Sequence, residues 1–200
     1  MNFLAHLLLS GPDPELRTGG FLGDFVLGPL RGTRPARIEA GIALHRHVDA
    51  RTDRDPRLRA AVRRLDPALR RFAPIALDVL FDHFLARDFA RWADRPLDDF
   101  VAEVHGQLAA RRGDLDPAAL RFLGRMRRHD LLRAYHRRGT VGAALGRIAA
   151  RSARLAPLVA LDDALAPHEE ALAEDFARFF PELQARCRAW RLEHVGADSA

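Results

Sequence analysis

The sequence has no lysine, one cysteine, one tyrosine and few residues of the kind that build strands. A single cysteine, Cys187, excludes a disulfide within the chain and suits a reducing compartment, so the cytoplasm is the expected location. No apolar run approaches the roughly 18–20 residues that span a bilayer, and no membrane association is expected. The opening "MNFLAHLLLS" lacks the basic stretch and longer apolar region of a signal peptide, and reads as a first core helix. Because lysine is absent, all 32 basic residues are arginine, and the net charge is +5. Arginine presents planar, bidentate donors suited to carboxylates and phosphates. Acidic proteins, nucleic acids and anionic membranes all fit that surface, so charge alone does not choose a partner.

Valine, isoleucine, threonine and tyrosine are sparse and never alternate over a useful length, whereas helical periodicity recurs between breaks. The breaks fall at "SGPDPE", "GPLRGTRP", "DRDP", "LDP", "ADRP", "RRGDLDP", "LAP" and "FFPEL". They leave helical segments near 2–9, 15–27, 35–52, 56–65, 74–92, 97–111, 117–137, 140–153 and 157–191, the last one broken. None of the breaks resembles a long linker, and 200 residues suit one core. The expectation is an all-α, single-domain helical bundle of about seven to nine helices.

Two of these helices carry polar residues where apolar ones belong. A helix turns about 100° per residue, so positions can be placed on faces. In 35–52, with Ile38 as origin, Ile42 lies at roughly +40°, His45 at roughly −20° and Asp49 at roughly +20°. His45 and Asp49 therefore fall within the apolar arc, while Asp53, at roughly +60°, sits at its margin near the helix end. In 74–92, with Ile75 as origin, Asp78 at roughly −60° and Asp82 at roughly −20° lie in the arc, and His83 on its edge. Burying an unpartnered carboxylate costs several kcal/mol, so two such i, i+4 pairs demand compensation. The arginines nearby face outward. A divalent cation offsets several carboxylates at once, and facing helices of a bundle commonly supply its ligands. The plainer alternative for each pair is a hydrogen bond, a cap or a solvated face. Asp24 in "GGFLGDFVLG" reads either as a turn or cap residue or as a further carboxylate near the ion. His6 reads as a hydrogen-bonded core histidine.

Four blocks in order, "MNFLAHL" (1–7), "GDFVLG" (23–28), "GIALHRHVDARTD" (41–53) and "APIALDVLFDHFL" (73–85), apart from Leu27, Ala43, His47, Arg51, Ala76, Leu80 and Phe81 within them, resemble the acyl carrier protein phosphodiesterase family. The likeness covers the whole chain and is strongest over residues 1–90, thinning beyond to patches such as "IAARSARL" at 148–155. It implies an all-helical, divalent-metal-dependent hydrolase distantly related to HD phosphohydrolases. The implied metal is Mn²⁺, with Mg²⁺ or Fe²⁺ as alternatives. The implied reaction releases 4′-phosphopantetheine from holo-acyl carrier protein. Positions matching the family's polar motif residues are Asp24, His45, Asp49, Asp53, Asp78, Asp82 and His83. The adjacent His-Asp that names the HD group is absent; here the order is Asp82-His83.

On that resemblance, Asp24, His45, Asp49, Asp78 and Asp82 are the expected metal ligands. Asp53 or His83 would orient water or protonate the leaving serine oxygen. Arg46 flanks the cluster as a phosphate contact or a surface ion pair. Basic groups at 63–64, 70–71, 125–130 and 135–138 read as solvated faces, or together as a docking surface for an acidic carrier. Two other functions compete: an HD-type hydrolase of nucleotides or other small phosphoesters, and an arginine-rich helical nucleic-acid-binding protein. Against the latter, aromatic residues fall mostly at core spacing and no nucleic-acid motif is present, so no nucleic acid is expected. A purely structural bundle predicts no metal at all.

Overall fold

The structure is a computed structural model, described here over residues 2–196. Their regular structure is all helical, with no strand among them. The α-helices are α1 (Phe3–Leu9), α2 (Pro14–Leu22), α3 (Ala36–Arg54), α4 (Pro56–Arg64), α5 (Ala73–Arg87) and α6 (Phe89–Trp92). They continue with α7 (Leu97–Ala110), α8 (Pro117–Arg128), α9 (Leu131–Ala134), α10 (Gly139–Ala149), α11 (Leu161–Leu165) and α12 (Glu169–Val195). Short 3-10 turns occupy Arg112–Asp114, Ala153–Ala160 and Ala166–His168. None of the described helices is long and apolar enough to cross a membrane.

The expected segments are recovered with local differences. The 74–92 segment divides at Asp88 into α5 and α6. The 117–137 segment divides where Asp130 takes a left-handed backbone, φ 46°. The last segment breaks early, in the 3-10 turns that hold Pro157 and Pro167, and not at "FFPEL": α12 runs through Pro181. Phe176 and Phe180, stacked at 5.0 Å just before that proline, are buried and hold the helix in register. The 15–27 segment ends at Leu22. Beyond it the chain leaves the helix and passes Gly28 and Gly32, both at positive φ, before α3 begins.

Helix α5 runs through the centre of the core. From Ala73 to Ala86 most side chains are buried, and only a narrow strip with Pro74 and Asp78 reaches solvent. Helices α1 and α10 pack against it. Its Asp82, fully buried, accepts hydrogen bonds from the backbone N–H groups of Leu4 (2.8 Å) and Ala5 (3.1 Å). A carboxylate at that position satisfies two of the donors left open at the start of a helix. It thereby ties the first turn of α1 to the core.

Helices α2 and α3 approach closely enough that two positions leave no room for a side chain. A Cβ added to Gly19 would lie 2.1 Å from the Ile38 carbonyl oxygen, and one added to Gly41 would lie 2.2 Å from that of Leu16. Only glycine lets the two backbones meet this way. The contact sets the depth of every α3 side chain that faces α2, His45 among them.

Candidate metal centre

The site forms where α1 and the start of the α2–α3 connection meet α3. His6 extends from the middle of α1, and its carbonyl accepts a 2.7 Å hydrogen bond from the Ser10 hydroxyl. His45 and Asp49 extend from successive turns of α3. The imidazoles of His6 and His45 stack, with centroids 3.6 Å apart and planes 11° from parallel. Both rings are buried, while the Asp49 side chain is 42% exposed, so the group opens to solvent on the carboxylate side. His6 Nε2 lies 3.1 Å from Asp49 Oδ1, and His45 Nε2 lies 3.2 Å from Asp49 Oδ2. Asp24 stands at the rim, its Oδ1 3.8 Å from His45 Nε2.

Backbone placement makes this geometry specific. The Nδ1 of His45 lies 2.8 Å from the Gly20 carbonyl, which can only accept, so Nδ1 carries a hydrogen. A Cβ on Gly23 would sit 2.1 Å from His45 Cγ, so glycine is required where the chain passes over the ring. Arg46 donates to the Val26 carbonyl at 2.9 Å and so pins the segment that carries Asp24.

The electrostatics follow from that arrangement. Burial pushes the His6 imidazole down to about 4, which keeps it neutral at physiological pH. For His45 burial acts in the same direction, but the hydrogen bond and charge of Asp49 outweigh it and raise the ring above its ordinary value. For Asp49 burial acts upward, yet hydrogen bonds from His45 and His6 hold the carboxyl well below the usual range. Burial raises the carboxyl of Asp24.

This donor set fits a divalent cation. With Nδ1 protonated on Gly20, the neutral His45 ring points its Nε2 lone pair at the Asp49 carboxylate. Two electron-rich atoms 3.2 Å apart need a positive particle between them, either a proton or a metal ion. His6, His45 and Asp49 each offer one ligand atom, all within 4.8 Å of one another, and the described residues contain one such group. Ligand–metal distances of about 2.0–2.2 Å place neighbouring ligand atoms about 3 Å apart, which matches the spacing here. The Gly20 carbonyl behind His45 is the usual kind of outer partner that fixes a ligating ring.

The residues expected from sequence are thus distributed over several places. His45, Asp49 and Asp24 come together, and His6 joins them. Asp82 lies beneath α1 with its oxygens on backbone N–H groups, and burial raises its carboxyl to about 7. Asp53, exposed at the end of α3, and Asp78 line a separate pocket of about 470 Å³ with Arg59 and Arg63. His83 is buried on α5, its Nδ1 2.8 Å from the Tyr135 carbonyl, and burial lowers its pKa.

The fold and this group define an all-helical protein in which two imidazoles and a carboxylate could hold a divalent cation. Comparison with known proteins makes this more definite. The model of the acyl carrier protein phosphodiesterase family matches residues 1–183, and the chain belongs to that family. Among named relatives, the acyl carrier protein phosphodiesterase of Enterobacter sp. (strain 638) is 33% identical over 94% of this chain and 98% of its own length. That of Klebsiella pneumoniae (strain 342) is 34% identical over 92% and 95%, and that of Salmonella dublin 35% over 93% and 97%. No solved structure matches the chain.

Proposed function

We propose that this protein is a metal-dependent phosphodiesterase that releases 4′-phosphopantetheine from holo-acyl carrier protein and leaves the apo-carrier. The carrying observation is the convergence of His6, His45 and Asp49 in a chain that aligns along nearly its whole length with acyl carrier protein phosphodiesterases. His6, His45 and Asp49 hold the cation. A mixed imidazole and carboxylate set favours a transition ion over Mg²⁺, which prefers oxygen ligands alone, and Mn²⁺ is our assignment. When bound, the ion supplies Lewis-acid polarisation of a phosphoryl oxygen and acidification of a water.

The chain's own residues divide the remaining work. Asp24, beside the ligands and with its carboxyl raised, orients the attacking water and takes its proton. Oxygen from that water adds to phosphorus, the bond from phosphorus to the serine oxygen breaks, and the serine oxygen takes up a proton from solvent while Asp24 returns its own to solvent. Asp82 holds α1, and therefore His6, in place. Asp53, Asp78 and His83, outside the group, are not assigned a part in these steps.

The test follows the mass of holo-carrier incubated with purified protein and Mn²⁺. A chelator-sensitive loss of the phosphopantetheine arm is expected. Asp49→Asn, folded by circular dichroism, is expected to be at least about 100-fold slower, because even partners outside a ligand shell are worth about 10–100-fold. Turnover of free nucleotides with none of holo-carrier would overturn the substrate, and undiminished activity in Asp49→Asn would overturn the site.

A further inference from the structure

Beside the metal centre lies the largest cleft described, about 990 Å³, between the start of α1, α8, α9 and α10. Its aromatic wall is Phe3, Phe122 and Tyr135, and alanines 134, 143 and 144 line it further. Phe3 stands one turn before His6 on α1 and stacks on Phe122 at 4.4 Å. Phe25, next to Asp24, packs against both rings. The cleft and the rim of the metal centre therefore share one aromatic wall. Its other lining is basic: Arg125, Arg137, Arg147, Arg151 and His129, with no carboxylate among the lining residues. Arg125 stacks on Phe122. Arg137, Arg147 and Arg151 are exposed, and among the described residues none of them makes an ion pair or hydrogen bond that would occupy its guanidinium. Several arginines elsewhere are engaged instead: Arg17, Arg34, Arg57, Arg64, Arg133 and Arg138 pair with carboxylates. The charge of Arg151 also reaches Asp24.

We propose that this cleft binds the phosphate-bearing pantetheine arm of the substrate, with Arg147 and Arg151 as the residues that recognise its phosphate. The inference rests on the phosphodiesterase reading and adds to it the place where the arm lies. A concave, partly apolar cavity of this size accommodates a flexible small-molecule chain, whereas the convex acidic helix of a carrier does not enter it. A phosphodiester beside the cation adds negative charge that unengaged arginines complement. Aromatic and alanine walls suit the methyl-bearing, amide-linked chain that follows the phosphate.

The experiment titrates 4′-phosphopantetheine, and separately pantetheine, into the full wild-type chain and into Arg147→Ala/Arg151→Ala by calorimetry. Both side chains are exposed, so the double variant keeps its fold and its Mn²⁺ affinity. It is expected to bind 4′-phosphopantetheine at least ~10-fold more weakly, with pantetheine binding changed less than ~2-fold. Arg151→Lys is expected to recover part of the loss. Equal affinity in wild type and double variant, or no affinity in wild type, would overturn the proposal. A raised KM for holo-carrier with unchanged affinity for free 4′-phosphopantetheine would also overturn it, assigning the arginines to the carrier's acidic surface. Wild type that binds the arm as described yet leaves holo-carrier intact would instead defeat the phosphodiesterase reading while the cleft stands.

Discussion

Asp82 sets two opposing influences against each other in one carboxyl: total burial, which disfavours its charge, and two backbone donors, which favour it. Burial wins, and the carboxyl titrates near 7 in the fold against 3.8 ordinarily. Between those values the folded chain holds a proton that the unfolded chain has released, so the contribution is full below about pH 4 and is lost as pH rises through 7. A displacement of this size is worth on the order of 4 kcal/mol at most. His6 acts with the opposite sign. Its pKa of about 4 in the fold means that its contribution is present above its ordinary 6.5 and fades as pH falls towards 4. In chelator, urea denaturation from pH 4.5 to 7.5 is expected to show a smaller decline, or a steeper rise, for Asp82→Asn than for wild type. The amide oxygen can still accept from α1, so the variant folds; parallel curves would show that Asp82 does not titrate in this range. Asp82 and Asp49 look alike in sequence, each a polar residue on an apolar arc, and only the position of α1 separates a carboxylate that accepts from its backbone from one that faces two imidazoles. His6 gave no such signal, because its partners lie on a helix some forty residues away and no local spacing records them.

At the scale of elements, the decisive contact is between α2 and α3. The helical segment read over 15–27 already held Gly19 and Gly20, and α2 does carry both. What spacing did not record is that their missing side chains admit a neighbour. The obstacle that a new Cβ would meet at Gly41 is the Leu16 carbonyl oxygen, a backbone atom that cannot rotate away. Gly41→Ala is therefore expected to push the helices apart and cost about 1–3 kcal/mol, the usual range for overpacking, despite alanine's better helix propensity. His45 is one turn further along α3 and bonded to Gly20, so Mn²⁺ affinity should fall together with stability. A variant that denatures and binds Mn²⁺ like wild type would show that the interface has slack. Helical faces were legible on α3, whose inward arc holds His45 and whose exposed end releases Asp53. They were less informative on α5, because a helix buried on most sides leaves only a narrow polar strip to define its arc.

Across the whole molecule, the all-helical class was legible because the residues that favour strands are scarce and breaks recur at helical spacing. Juxtaposition was not, since it depends on how a central α5 arranges its neighbours. The candidate metal site joins two elements directly: His6 comes from α1, and His45 and Asp49 from α3. An ion held by ligands so far apart in the chain would bind the folded state and not the unfolded one, so binding and stability would be linked. At a free Mn²⁺ concentration 100 times Kd the stabilisation is about 2.7 kcal/mol. For a chain of this length that raises Tm by roughly 5–10 °C. Asp49→Asn is expected to melt at the same temperature with or without Mn²⁺. Asp78→Asn, altered only on the wall of the separate pocket, is expected to keep the full rise. Calorimetric scans of the three proteins with chelator and with Mn²⁺ decide the matter. A rise lost in Asp78→Asn and kept in Asp49→Asn would move the cation from the α1–α3 junction to α5, and the ligand set argued here would be wrong.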